Sequence, residues 1–172
     1  MKKLIATLAL LLMAPAWVSA QGADPRYRGQ EYIFIGEGSF RSSDGGLHGI
    51  THVGGGGEVL LVKGFGVGAE LGAMGRPGYG VGVFSMDPSY HFRRASSKTK
   101  LSPFVEGGYT RTFGQSDFPD IHFNFGGGIH YWAFKRVGLR LEFRDHVHHV
   151  SPIFASGHTY HYWGLRIGLA FR

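Results

Sequence analysis

Along Thr159 to Arg172 oily and non-oily residues alternate. Trp163, Leu165, Ile167, Leu169 and Phe171 fall on one face, and Gly164, Arg166, Gly168 and Ala170 on the other. A repeat of two is the signature of a β-strand. Val137 to Asp145 repeats it, with Val137, Leu139, Leu141 and Phe143 opposed to Gly138, Arg140, Glu142 and Arg144. Ile121 to Phe134 sets Phe123, Phe125, Ile129 and Tyr131 against Asn124, Gly126, Gly128, His130 and Trp132. These runs are long: strands of globular proteins average about five or six residues, whereas a tilted strand crossing a bilayer needs about nine to eleven. In a soluble sandwich the oily face would be core and the charged face would meet water. In a membrane barrel the assignment inverts, with oil toward lipid and charge toward the lumen. No segment here reads as buried on both faces, and no second oily layer exists to cover the first. The pattern therefore predicts the inverted arrangement.

Five earlier segments follow the rule more loosely: Glu31 to Phe40, Thr51 to Val62, Phe65 to Gly75, Tyr79 to Phe92 and Leu101 to Phe113. The first has no clear facing. The fourth contains Pro88, which has no N–H to give a ladder, so a bulge or irregular stretch is expected there. The connections alternate in kind. Lys63-Gly64 and Lys135-Arg136 are tight, whereas 41–50, 114–120 and 146–158 are long and polar. Short turns at one end and long loops at the other suit a barrel with periplasmic turns and external loops. Two connections break the alternation, the long Arg93 to Lys100 among the turns and the short Gly75 to Gly78 among the loops. The expected fold is all-β, an eight-stranded antiparallel up-and-down transmembrane barrel.

The amino end supports export. Lys2 and Lys3 precede an apolar run from Leu4 to Ala14, and Val18-Ser19-Ala20 offers small residues for a signal peptidase. The run is shorter than the roughly twenty residues a membrane-spanning helix needs. Residues 1–20 read as a signal peptide and 21–172 as one barrel domain destined for the bacterial outer membrane. The chain has no cysteine, which excludes a disulfide framework and thiolate chemistry. Without Lys2 and Lys3, 16 Lys and Arg remain against 12 Asp and Glu. That mild basicity suits anionic lipid headgroups, and no nucleic-acid motif accompanies it.

Glycine supplies 29 of 172 residues without a collagen period, and 15% aromatic content argues against disorder. An eight-stranded barrel is so narrow that side chains fill it. Inward positions must then be small wherever a neighbour is large: Gly66, Gly68 and Gly72 around Glu70, or Gly164 and Gly168 around Arg166. Glu58, Glu70, Glu106 and Glu142 with Arg140, Arg144 and Arg166 are the expected lumen charges. Opposite signs in similar number predict a paired network that plugs the lumen, because an unpaired buried charge costs several kcal/mol. Tyr131, Phe134 and Phe171 at the turn end, and Trp163 and Tyr109 toward the other, are candidates for interfacial aromatic girdles.

With its leader, its amphipathic strands and the ending HYWGLRIGLAFR, the chain resembles the small OmpA-like and OmpX-like outer-membrane barrels. In that group the last strand alternates and ends in an aromatic that the barrel-assembly machinery reads. Leu165, Ile167, Leu169 and Phe171 match this, although Arg172 occupies the final position. The resemblance implies contact with outer-membrane lipids, lipopolysaccharide and the assembly machinery. It implies a structural or surface-interaction role, with no cofactor and no specified external ligand, since members serve as adhesins, tethers, pores or lipid-modifying enzymes.

Two chemical alternatives rest on the histidines. His146, His148, His149, His158 and His161 crowd the last loop and its edges, and imidazole binds zinc, copper or nickel. Their spacing is not that of a tetrahedral zinc site. His149 and Ser151 are spaced like the His-x-Ser pair of outer-membrane lipid A deacylases, which the chain resembles there alone. Pro152 replaces that group's Asn, and no Asp or Glu follows Ser151. A base and its orienting acid are both needed to activate a serine. Asp117 and Asp120 offer too few oxygens for calcium.

Overall fold

A computed structural model describes residues 29–42, 45–61, 64–92, 100–114, 123–150 and 158–172. The expected leader of residues 1–20 and Ser151 lie outside these residues. Eight strands follow one another: β1 (Gly29–Arg41), β2 (Leu47–Leu60), β3 (Phe65–Arg76), β4 (Tyr79–His91), β5 (Leu101–Phe113), β6 (Phe123–Tyr131), β7 (Val137–Val150) and β8 (His158–Phe171). Each pairs antiparallel with the next, and β1 pairs with β8 to close the barrel. Closure leaves no unpaired edge, which is how a sheet escapes edge-to-edge aggregation.

The alternation decides which side each residue takes. Ile35, Ile167, Leu141 and Ile129 lie on one hydrogen-bonded row across β1, β8, β7 and β6. Ile35, Ile167 and Leu141 are each at least half exposed on the outer wall. Every strand adds large apolar residues to that wall, among them Val53, Val67, Met86 and Val105. The ambiguous first strand turns Gln30, Tyr32 and Phe34 inward and Ile33 and Ile35 outward.

Pro88 does less damage than its missing N–H suggests. Met86↔Tyr109 and Ser89↔Glu106 keep one register, and only the two pairings between them drop out. On its other side Pro88 pairs with Val67 without interruption. Of the expected bulge or irregular stretch, the ladder shows the second: a gap of two pairings without a slip. The loops also need correction. β7 runs on through His146, His148 and His149, and β2 begins at Leu47, so much of the expected loops 41–50 and 146–158 is strand. Gly78 closes the β3–β4 turn with φ +81°, a left-handed conformation that glycine adopts without a Cβ clash.

Candidate functional site

The lumen holds the polar chemistry, arranged in tiers along the barrel. Period-two alternation on β7 points Arg140, Glu142 and Arg144 inward in succession. Across the ladders, Arg144 faces Gly164 on β8 and Gly126 on β6, and Arg140 faces Gly168 on β8. A long guanidinium on one strand thus lies over the empty inward positions of its neighbours. Arg166 on β8 sits directly opposite Glu142 and opposite Gly36 on β1.

These side chains form one connected network. Glu142 accepts from Arg140 Nε at 2.9 Å and from Arg144 Nε at 2.5 Å. Arg166 Nη1 lies 3.5 Å from the same carboxylate and donates to both oxygens of Glu70 at 3.0 Å. Glu106 bridges the Nη2 groups of Arg140 and Arg144. Arg144 Nη1 donates to Asp87 Oδ2 at 2.9 Å and also reaches Asn124, whose Nδ2 donates to the other Asp87 oxygen at 2.7 Å. All three arginines are at least 96% buried. Burial of this many charges is tolerated only when each finds partners.

Imidazoles and rings line the network. Arg166 Nη2 lies 2.7 Å from His52 Nδ1 and 3.0 Å from His146 Nε2, and Arg140 Nη1 lies 3.2 Å from His130 Nε2. Because arginine can only donate, each of these ring nitrogens accepts. Arg140 also lies over the Tyr32 and Phe104 rings at 4.1 and 4.2 Å, and Arg166 over Phe34 at 4.3 Å. Glu58 stands apart from the other expected charges. It accepts from Gln30 and Ser89 and pairs with His91 at 3.0 Å.

Apolar tiers lie on either side of the charge. Toward the loop end Ile50, Met74, Val81, Val83 and Tyr162 cluster inside, with Phe40, Tyr79 and Tyr160 packed on them. Toward the turns Tyr32, Phe34, Trp132 and Ala170 form a second cluster, and Trp132, His130 and Phe104 stack in sequence. Sequence reasoning set Asn124 on the inward face of β6 but did not place Gln30, Asp87, His52 and His91 in the lumen. A void lined by Gly36, His52, His146 and Arg166 measures about 10 Å³, the room for one water.

The inward glycines make this density possible. A Cβ at Gly36 would stand 2.6 Å from the Leu165 carbonyl oxygen and 2.8 Å from Arg166 Cγ. Gly36→Val is therefore expected to overpack the lumen and cost about 1–3 kcal/mol. Urea unfolding of the barrel folded in lipid vesicles would measure the loss. An unchanged midpoint would mean that the interior has slack.

No family model matches the chain, and no curated protein does. Solved structures do match. The N-terminal β-barrel domain of Pseudomonas aeruginosa OprF is 16% identical with a TM-score of 0.59, covering 84% of this chain and 96% of that one. Neisserial surface protein A is 14% identical with a TM-score of 0.60, covering 88% and 99%. The attachment invasion locus protein Ail of Yersinia pestis is 17% identical with a TM-score of 0.52, covering 84% and 99%. The chain has the fold of the small eight-stranded outer-membrane barrels. At these identities the likeness is one of architecture, and the lumen residues of this barrel have to be read on their own terms.

In this barrel the four clustered histidines whose side chains are described do not converge. His146 is buried in the lumen against Arg166, and His148 stacks on Tyr160 at 6.2 Å. His149 and His161 belong to the outer wall: His149 Nδ1 meets Thr159 Oγ1 at 3.0 Å, and His161 Nδ1 meets Asp145 Oδ2 at 2.7 Å. Of His158 only the backbone, at the start of β8, is described. Among the described residues no group of three His, Cys, Asp or Glu is placed to hold a metal. Asp145 pairs with His161 rather than with His149, whose Nδ1 meets the Thr159 hydroxyl, so among the described residues no acid is hydrogen-bonded to the base of the His149/Ser151 alternative.

Proposed function

We propose that the chain is an integral outer-membrane barrel with a structural or surface-interaction role, whose lumen is closed by its own side chains. The observation that carries this reading is the distribution of polarity. Large apolar residues cover the outside of all eight strands, while Glu70, Asp87, Glu106, Glu142, Arg140, Arg144 and Arg166 are paired inside. Such a wall is soluble in lipid and insoluble in water. The interior filling supports a closed body rather than a pore, since the charge tier is flanked by apolar and aromatic tiers. The alternating β8 ending in Phe171 supports recognition by the barrel-assembly machinery. The mild basic excess supports contact with anionic lipid, lipopolysaccharide included.

Two measurements test the reading. Cell fractionation should place the protein in the outer membrane, with unheated samples migrating faster on a gel than boiled ones. Recovery as a folded monomer in the aqueous periplasmic extract would overturn it. In planar bilayers the purified barrel should show no discrete current steps; regular unitary conductance would overturn the closed lumen while leaving the membrane location intact.

A further inference from the structure

On the outer wall two polar side chains, Asp145 on β7 and His161 on β8, interrupt the oil of these strands near the loop end. Phe143 and Trp163, with ring centroids 6.5 Å apart, lie on the midplane side of them, and Val147 follows on β7, paired with His161. Asp145 is only 6% exposed although it lies on the outward face of β7, and its Oδ1 has no hydrogen-bond partner among the described residues. Its other oxygen holds His161 Nδ1 at 2.7 Å. Burying a carboxylate at the edge of a lipid-facing wall is costly, and here that carboxylate serves to fix one imidazole. With Nδ1 engaged, Nε2 is the ring nitrogen left for a ligand, and the His161 side chain is half exposed. His161 borders an open groove of about 700 Å³ between the β1–β2 turn and the start of β8. Arg41 contributes a guanidinium to that groove, Ser42 and Thr159 contribute hydroxyls, and Leu47 and Trp163 form its apolar floor. The volume is in the range of small-ligand sites.

We propose that this groove binds the headgroup of a phosphorylated glycolipid from the leaflet at the loop end. Arg41 takes the phosphate, and His161, fixed by Asp145, hydrogen-bonds the sugar or the phosphate beside it. Ser42 and Thr159 meet sugar hydroxyls, and the acyl chains run down over Leu47 and Trp163 onto the oily wall. Charge and composition both favour this occupant. One guanidinium suits a phosphate; the two hydroxyls, Ser42 Oγ beside His48 and the Gly46 carbonyl and Thr159 Oγ1 beside His149, suit a sugar more than a plain phosphodiester; and the apolar floor continues into the lipid-facing surface through Leu165. The proposal rests on the membrane reading above, and the gel-shift assay tests that reading separately on the same sample.

The experiment is native mass spectrometry of the full mature barrel released from detergent micelles containing lipid A, phosphatidylglycerol or phosphatidylcholine in equal amounts. Lipid A adducts should survive activation that strips the other two. Arg41→Ser and His161→Phe should each lower lipid A retention about tenfold, the factor equivalent to one lost charge-assisted contact. Arg41→Lys should restore part of it, since the charge returns without the fork. Lys135→Ser, at the opposite rim, should change nothing. Equal retention of lipid A and phosphatidylglycerol would overturn the sugar assignment, and retention insensitive to Arg41 and His161 would overturn the site. Arg41 and His161 are both solvent-accessible, and each variant's heat-modifiable migration confirms that it has folded before binding is scored.

Discussion

Arg144→Met is expected to cost the barrel about 3–5 kcal/mol, the penalty for removing one partner from a buried ionic network. The wild-type tier sets three guanidiniums against four carboxylates: Arg140, Arg144 and Arg166 against Glu70, Asp87, Glu106 and Glu142. Arg144 is the group that touches all four of those acids. Methionine replaces the stem volume but leaves Asp87 with Asn124 as its remaining donor and Glu106 with Arg140 alone. Urea unfolding in lipid vesicles would report the loss. A second variant separates charge from packing. Glu106→Gln alone should also destabilise, but Arg144→Met with Glu106→Gln should cost less than the two single losses combined, because Glu106→Gln removes one of the acids that Arg144→Met leaves short of a guanidinium, taking the tier from two against four to two against three. Strict additivity would mean that the two side chains act independently, contrary to the shared contact.

How much of this network was legible in the chain depends on which physical rule each residue obeys. Facing on β7 and β8 needs only the repeat of two, so Arg140, Glu142, Arg144 and Arg166 could be assigned to one side from the letters alone. Which residues meet across the barrel needs the register, and register is a property of strand pairs. Nothing in the local sequence of Arg144 says that Gly164 and Gly126 lie beside it, or that Asp87, 57 residues earlier, receives its Nη1. Glu58 shows the limit most clearly: the alternation puts it inside, but register carries it to Gln30, Ser89 and His91, away from the arginine tier.

Two strands gave no clear facing, for reasons of composition. On β1 the lumen residues Tyr32 and Phe34 are as apolar as the lipid-facing Ile33 and Ile35, so the hydrophobic contrast vanishes where the interior itself is aromatic. On β4 the same happens with Val81 and Val83, which fill the inner apolar tier. The histidines misled in the opposite direction. Polar letters near the end of β7 suggested a loop, yet His146 is strand and lumen, and β7 keeps its ladder to β8 as far as Val150↔His158. Polarity marks solvent only when the interior is oil, and this interior is not.

The same inversion governs the second large effect. Ile167→Arg should cost about 2–4 kcal/mol, whereas an arginine near either rim should cost about 0–1 kcal/mol, because depth in the bilayer sets the desolvation penalty. Ile167 pairs with Ile35 on one side and Leu141 on the other, and its outward neighbours along β8 are Leu165 and Leu169; the outward carboxylate of Glu37 lies one step further toward the loops, paired with Leu165. Val59, by contrast, lies one residue from the end of β2 at the turn rim. There an arginine's long stem lets the charge reach the headgroups. The ordering of Ile167→Arg and Val59→Arg in vesicle unfolding is therefore a depth measurement. In a water-soluble barrel both sites are exposed to about the same extent, 51% and 55%, and both substitutions would be close to neutral. A clear gap between them, with Ile167→Arg the costlier, requires that what surrounds the outer wall changes with height along the barrel.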